Sequence, residues 1–186
     1  MELIPALEIG WLNGWIPWGL LCLTDGILFM VFPKDMVARL FDRSGWNRRQ
    51  TVFTVTGKLI ALVCLVLIIL TPLKIGDPVF IIGMALVALG LVGLIIALFD
   101  FKNTSFDQPG TKGLYRVSRH PQIFRSSVVL LGACIAVGSW LALFILVVSK
   151  LFLHFGILAE EEICLGRYGD SYRAYVKQVP RYFLFF

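Results

Sequence analysis

A basic motif and an acidic cluster stand at the two ends of one long apolar stretch. The tripeptide Arg119-His120-Pro121 precedes this stretch, and the three consecutive glutamates Glu160-Glu161-Glu162 follow it. Removing ionisable groups from water costs free energy, so a histidine and carboxylates beside apolar sequence are usually retained for a function. We therefore expect the chemistry of this protein at a membrane surface where the two groups lie.

The composition predicts an integral membrane protein. Of the 186 residues, 58% are hydrophobic and 16% are charged, whereas about 25% are charged in a soluble domain. The length predicts a single transmembrane domain over residues 1–186, and we attribute the net charge of +5 to membrane orientation, not to nucleic acid binding. The sequence shows no signal peptide and no C-x-x-C pair, so we expect neither a zinc site nor a disulfide framework.

Three apolar segments in the first half have nearly the ~20 residues that a membrane-spanning helix needs. Within residues 11–99 they cover 11–32, 51–70 and 79–99. Asp25 lies deep in the first of them, where we expect a structural ion pair with Lys58 or Lys150. The third segment is rich in small residues, which would serve either a contact between subunits or packing within the chain.

The apolar stretch after residue 121 is either one long helix or a hairpin broken near Gly138-Ser139. The loops 33–50 and 100–125 and the tail after residue 160 are all basic, and only a hairpin places them on one side of the membrane. The predicted fold is therefore all-α, with about five transmembrane helices, the N-terminus outside and the C-terminus cytosolic. The hairpin arms are 122–137 and 140–158, followed by a cytosolic surface helix over 159–178. In this topology His120 and the glutamates meet at the same face.

A glycine-containing loop, Pro109-Gly110-Thr111-Lys112-Gly113, and Tyr115 precede the basic motif. Backbone atoms in such a loop can approach a ligand closely, and carboxylates bind cationic groups and hydroxyls. S-adenosylmethionine, with its positive centre, ribose and amino acid group, meets these requirements, as do many other polar ligands.

Several motifs in the second half occur in the order and spacing of a known superfamily. They are Lys112-Gly113-Leu114-Tyr115, Arg119-His120-Pro121, Glu160-Glu161, Tyr168-Gly169-Asp170-Ser171-Tyr172-Arg173-Ala174-Tyr175 and Val179-Pro180-Arg181. Together they resemble the C-terminal signature of the isoprenylcysteine carboxyl methyltransferases and the phospholipid methyltransferases. The resemblance implies a membrane enzyme whose residues 100–182 bind S-adenosylmethionine at the cytosolic face, and which methylates a lipidic or hydrophobic acceptor from the bilayer.

The resemblance also implies the roles of individual residues. Cofactor contacts fall on Gly110, Gly113, Tyr115, His120, Pro121, Glu160 and Glu161, and the loop that begins at Asp107 wraps the cofactor. Glu161 is the best single candidate, because a register shifted by one residue would use Glu161 and Glu162. Methyl transfer itself adds that an amine or hydroxyl acceptor would need a general base, for which His154, His120 or a glutamate could serve, whereas a carboxylate acceptor would need none. We take His154 and Glu161 as the catalytic candidates, and no metal ligand is predicted.

Two positions depart from the family pattern. Ile123 stands where the family usually has tyrosine, and Gly156 stands where the isoprenylcysteine enzymes have a substrate-binding arginine. The second departure argues against an isoprenylcysteine acceptor without touching the cofactor assignment. Two other functions stay open at this point: an NADPH-dependent enzyme resembling the sterol reductases, and a non-catalytic membrane protein that retains the fold. The oligomeric state and the acceptor are open as well.

Overall fold

The computed structural model describes residues 1–104 and 110–183, which form seven α-helices and one 3-10 helix. The α-helices are α1 (Trp15–Val31), α2 (Lys34–Leu40), α3 (Arg48–Leu70), α4 (Pro78–Lys102), α5 (Pro121–Ala136), α6 (Trp140–Tyr168) and α7 (Asp170–Gln178). The 3-10 helix, Gly113–Arg116, lies between α4 and α5. The all-α prediction is confirmed.

Three of the helices, α3, α4 and α6, are long and apolar enough to cross a membrane. Helices α1 and α5 are apolar but shorter, with 17 and 16 residues. The protein is thus a membrane protein with an apolar helix in each of the five predicted segments, and five crossings stay a prediction. Helix α1 begins later than predicted because Leu12 and Gly14 form backbone hydrogen bonds with Leu73 and Thr71, just after α3.

Local sequence signals explain where the helices begin and where the hairpin turns. Asn47 and Gln50 form a reciprocal capping box at the start of α3, and the hydroxyl of Ser139 accepts a hydrogen bond from the backbone N–H of Ala142 in the first turn of α6. Gly138 has a φ of 70°, a conformation that favours glycine. The predicted hairpin is therefore confirmed, and the single long helix is excluded.

The predicted end of the last arm is wrong. Helix α6 continues past residue 158 to Tyr168, because residues 159–165 contain no proline or glycine to stop it. Gly169, with a φ of 54°, separates α6 from the short helix α7. The surface helix predicted over 159–178 is thus two helices, and the three glutamates lie on the last turns of α6.

Close backbone contacts join the helices in two antiparallel pairs, α4 with α5 and α3 with α6. A Cβ atom on Gly83 of α4 would lie 2.4 Å from the backbone nitrogen of Ala136, and one on Gly132 of α5 would lie 2.5 Å from the carbonyl oxygen of Gly83. In the other pair, Gly57 of α3 packs against Leu153 of α6. The small residues of α4 therefore serve packing within the chain.

The N-terminal segment crosses the end of the helix bundle that contains the hairpin turn. The backbone N–H of Glu2 donates to the carbonyl of Gly138 at 2.7 Å, and the carboxylate of Glu2 forms an ion pair with Lys74. These contacts hold the turn between α5 and α6 in place. The candidate site lies at the opposite end, where α5 begins and α6 ends.

Candidate active site

A cavity lies where the start of α5 and the end of α6 meet α2 and α7. Its walls include Gly110, Tyr115, His120 and Glu160. These residues come from two separate parts of the sequence, the segment 110–120 and the end of α6, and the hairpin brings them together at one end of the bundle. We call this space the His120 cavity.

His120 is held by its position immediately before α5. Pro121 occupies the first turn of the helix, where the absence of an N–H is tolerated, and His120 is 4% exposed. Its Nε2 lies 3.3 Å from Oε1 of Glu161. Its Nδ1 lies 3.6 Å from Oε2 of Glu160 and has no hydrogen-bond partner among the described residues. The structure therefore leaves one buried nitrogen available at the cavity.

Glu160 and Glu161 face different surroundings, since consecutive helical residues point about 100° apart. The Glu160 side chain is 44% exposed and lines the His120 cavity. Glu161 is buried, points into the protein and does not line the His120 cavity. Glu162 turns away and accepts a hydrogen bond from Gln50 of α3 at 2.8 Å.

Glu161 is the centre of a buried cluster of positive groups. Nε and Nη2 of Arg181 donate to its two carboxylate oxygens at 2.8–3.1 Å, and Nη1 of Arg119 lies 3.0 Å from Oε1. The hydrogen bond to Glu161 raises the pKa of Arg181. The backbone N–H of Arg119 also donates to the carbonyl of Pro180 at 3.0 Å. The cluster therefore ties the start of α5, the end of α6 and residues 180–181 together.

Tyr115 is buried between α5 and α7. Its hydroxyl donates to Oε1 of Gln122 at 2.7 Å, and its carbonyl accepts a hydrogen bond from the Tyr175 hydroxyl at 2.7 Å. Burial raises the pKa of Tyr115 well above its ordinary value, so the hydroxyl stays protonated and keeps its role as a donor.

Gly113 and Pro121 shape the backbone next to the cavity, and neither is part of the wall. Gly113 has a φ of 57°, and a Cβ atom there would overlap the carboxylate of Asp100. That carboxylate accepts a hydrogen bond from the backbone N–H of Leu114 at 2.8 Å. Of the other residues predicted to contact a cofactor, Asp107 lies outside the described part of the chain.

His154, a predicted catalytic residue, lies apart from the His120 cavity. Its Nδ1 forms a 2.6 Å hydrogen bond with the hydroxyl of Tyr182. It lines a different, largely apolar cavity, together with Lys150 and Ile123. The two predicted catalytic residues, His154 and Glu161, therefore do not line a common cavity.

Several residues of the His120 cavity were not predicted from the sequence. Arg39 of α2 lines it and donates a hydrogen bond to the Tyr168 hydroxyl at 2.9 Å. Tyr168, Tyr172 and Tyr175 also line it. The motif Tyr168–Tyr175 was the available signal for the tyrosines, whereas Arg39 was one of many basic residues in a loop.

Comparison with known proteins identifies the family to which this sequence belongs. The sequence model of the phospholipid methyltransferases matches residues 78–171, half of the chain. No curated protein and no solved structure matches it. The matched region runs from α4 to the start of α7 and includes His120 and Glu160. The chain therefore belongs to the phospholipid methyltransferase family, a family of membrane methyltransferases.

Proposed function

We propose that the protein transfers a methyl group from S-adenosylmethionine to a lipidic acceptor. The observation that carries the proposal is the wall of the His120 cavity, where Glu160 meets Tyr115 and His120 although it lies far from them in the sequence.

The polar groups of the cavity fit this cofactor. A buried nitrogen without a partner, such as Nδ1 of His120, costs free energy until a ligand forms a hydrogen bond with it. The carboxylate of Glu160 suits an ammonium or a hydroxyl group. The rings of Phe101 and Tyr115, with centroids 6.3 Å apart, offer aromatic faces to a cation or a purine. When bound, the cofactor would supply an electrophilic methyl group on a sulfonium.

Different residues of the chain have different tasks in this proposal. Glu160 and His120 contact the cofactor directly. Glu161 acts through its neighbours, because its hydrogen bond with Nε2 of His120 directs Nδ1 toward the ligand. Arg119 and Arg181 neutralise Glu161, which lets a carboxylate stay buried without repelling Glu160. His154 has no part in binding the cofactor.

The face that holds the cavity is proposed to be cytosolic, with the C-terminus on that side. Basic residues of the loop between α1 and α3, among them Arg39 and Arg43, lie at this face. Positive loops are a feature of the cytosolic side of membrane proteins. A lipidic acceptor would reach the cavity from the adjoining bilayer.

Isothermal titration calorimetry with S-adenosylmethionine tests the cofactor assignment. We expect saturable binding to the detergent-purified protein, and binding at least tenfold weaker in Glu160→Gln and in His120→Ala. Glu162→Gln is the matched control, because this adjacent carboxylate is outside the cavity, and its affinity should equal that of the wild type. Transfer of a radiolabelled methyl group to a total lipid extract then tests catalysis.

Other outcomes would favour the alternatives. If the folded wild type binds NADPH and not S-adenosylmethionine, the protein is a reductase. If it binds S-adenosylmethionine but labels no lipid, it is a binding protein that retains the fold.

A further inference from the structure

The cavity that contains His154 lies between α5 and α6 and shares no wall residue with the His120 cavity. Most of its lining is apolar, and one wall residue, Leu151 of α6, is 64% exposed. Trp140 and Phe144, which precede Leu151 on the same helical face, are 54% and 66% exposed. Exposed apolar side chains of a membrane-spanning helix face lipid. The cavity is therefore open to the bilayer beside this face of α6.

Lys150 of α6 also lines this space, which we call the Lys150 cavity. Within the described ranges, the ammonium of Lys150 has no hydrogen-bond or ion-pair partner. Asp25 has none either, so its expected pairing with Lys58 or Lys150 is not formed. An unpaired charge in an apolar membrane helix is costly and typically marks a functional site. An anionic ligand would supply the missing partner of Lys150.

His154 offers a second polar group on the same wall. It lies one helical turn after Lys150, so the two side chains project from the same face of α6. Its Nδ1 is paired with the Tyr182 hydroxyl at 2.6 Å, while Nε2 has no hydrogen-bond partner among the described residues. When the hydroxyl donates to Nδ1, the neutral ring carries its proton on Nε2. An anionic oxygen would thus meet N–H donors from both residues.

The α5 side of the cavity suits a hydrocarbon chain. Phe124 stacks on Phe183 with ring centroids 5.9 Å apart, and the hydroxyl of Ser127 is occupied, since it donates to the carbonyl of Ile123 at 2.7 Å. Ile123 stands where the family usually has tyrosine, so this aliphatic part of the wall is a feature of this chain. The cavity therefore fits a ligand with one anionic group and an apolar chain.

The depth of Lys150 distinguishes between two kinds of anionic lipid. Lys150 lies eleven residues before Glu161 on α6, which corresponds to about 16 Å along the axis and to about half of the ~30 Å hydrocarbon core. The phosphodiester of a phospholipid keeps its charge and stays at the membrane surface. A carboxyl group can take up a proton and enter apolar surroundings as a neutral acid. The position favours a free carboxylic acid.

We propose that the Lys150 cavity binds a long-chain carboxylic acid from the bilayer. Its carboxylate pairs with the ammonium of Lys150 and accepts a hydrogen bond from His154, and its chain lies against the apolar residues of α5 and α6. Because this cavity and the His120 cavity have no wall residue in common, the acid is a ligand separate from the cofactor and the methyl acceptor of the proposed reaction.

Binding of radiolabelled dodecanoic acid to the full chain in phosphatidylcholine nanodiscs tests the proposal without turnover. We expect saturable binding above that of empty nanodiscs, and at least tenfold weaker binding in Lys150→Met, which keeps an unbranched side chain and removes the charge. Lys58→Met is the matched control, because it removes a lysine from another membrane-spanning helix outside this cavity. Its affinity for the acid should equal that of the wild type.

A second ligand tests the role of the charge in the unaltered protein. Dodecanol has the same chain without a carboxyl group, and the wild type should bind it at least tenfold more weakly than the acid. A dodecanoic acid analogue with a diazirine in its chain should, after irradiation, label peptides that contain the cavity residues of α5 and α6. Mass spectrometry locates the label, and neither measurement depends on the folding of a variant.

Two controls separate the charge of Lys150 from the stability of the fold. The melting temperature of Lys150→Met should equal or exceed that of the wild type, because the change removes an unpaired charge from an apolar helix. Its affinity for S-adenosylmethionine should be unchanged. A fall in both quantities would assign Lys150 a structural role and overturn the proposal.

Several results would overturn the carboxylic acid site. They are equal binding of the acid and the alcohol, equal binding of the acid by the wild type and Lys150→Met, and labelling confined to other helices. Tighter binding of a lysophosphatidic acid with the same chain would assign the site to a phosphate group instead. Failure of the wild type to bind S-adenosylmethionine would overturn the cofactor assignment alone, and binding of the acid could still be measured.

Discussion

Arg181 donates hydrogen bonds to both carboxylate oxygens of Glu161, which joins the segment after α7 to the last membrane helix. Arg119 and His120 reach the same carboxylate from the start of α5. Glu161 therefore fixes three segments relative to one another, while the neighbouring Glu160 is left to face the cavity. The two glutamates of the motif have separate tasks, and variants should distinguish them.

We expect Arg181→Ala to lower the free energy of unfolding by about 1.5–3 kcal/mol, the usual contribution of a hydrogen bond to a charged group. Arg173→Ala is the matched control, because Arg173 forms an exposed ion pair with Asp170, and such pairs contribute at most about 1 kcal/mol. Denaturant unfolding in detergent micelles measures both. Equal losses in the two variants would show that the cluster around Glu161 does not stabilise the fold.

Gly156 allows α3 to approach α6 closely. A Cβ atom there would lie 2.8 Å from Oγ1 of Thr54 and 3.2 Å from the ring of Trp46. We expect Gly156→Ala to destabilise the protein by about 1–3 kcal/mol, as overpacking does, and Gly156→Arg to prevent folding. An arginine that binds isoprenylcysteine substrates therefore has no room at this position.

Two further variants test the Gly156 prediction. Thr54→Ala should restore part of the stability of Gly156→Ala, because it removes the nearest atom. Gly166→Ala, in a part of α6 with open space around it, should be neutral or stabilising by up to about 1 kcal/mol. A melting temperature of Gly156→Ala as high as that of Gly166→Ala would contradict the close contact.

The contact between α4 and α5 at Gly83 should tolerate a larger residue even less than the contact at Gly156 does. At Gly83 the atom that a methyl group would meet belongs to the backbone of Ala136, and a helix backbone cannot rotate away as a side chain can. We expect Gly83→Ala to lower the melting temperature more than Gly156→Ala does. Gly26→Ala in α1, which has no neighbouring atom within 4 Å, serves as the control. Thermal unfolding followed by circular dichroism gives the melting temperatures of these variants. Equal melting temperatures of Gly83→Ala and Gly26→Ala would refute the close contact between α4 and α5.

A substitution at Gly113 should affect ligand binding more than it affects the stability of the fold. An alanine there meets both an unfavourable positive φ, which costs about 1–2 kcal/mol, and the carboxylate of Asp100. The 3-10 helix that carries Tyr115 would shift as a result. We expect Gly113→Ala to weaken S-adenosylmethionine binding at least tenfold in calorimetry while the helical circular dichroism spectrum is retained. Wild-type affinity in this variant would mean that the turn does not position Tyr115.

The sequence predicted those parts of the fold that depend on local signals and on charge. Gly138 and Ser139 break the last apolar stretch, and the basic loops required His120 and the glutamates to share one face; the structure has both features. The sequence could not predict which glutamate faces the cavity, because that depends on how α6 is rotated about its axis relative to α5. The role of Arg39 was missed for a similar reason, because only tertiary packing brings α2 to the site.

The cluster around Glu161 also sets an order of assembly. Chains fold from the N-terminal side as they are synthesised, and Arg181 is made after all seven described helices. While the helices enter the membrane, Glu161 still lacks Arg181, one of its hydrogen-bond partners. The cluster is completed only when residues 180–181 dock against the segment before α5. There the Ser118 hydroxyl donates to the carbonyl of Arg181, and the backbone N–H of Arg119 donates to the carbonyl of Pro180. A nascent chain with every apolar helix inserted is therefore still without a finished site, and docking of this last segment is the step that completes it.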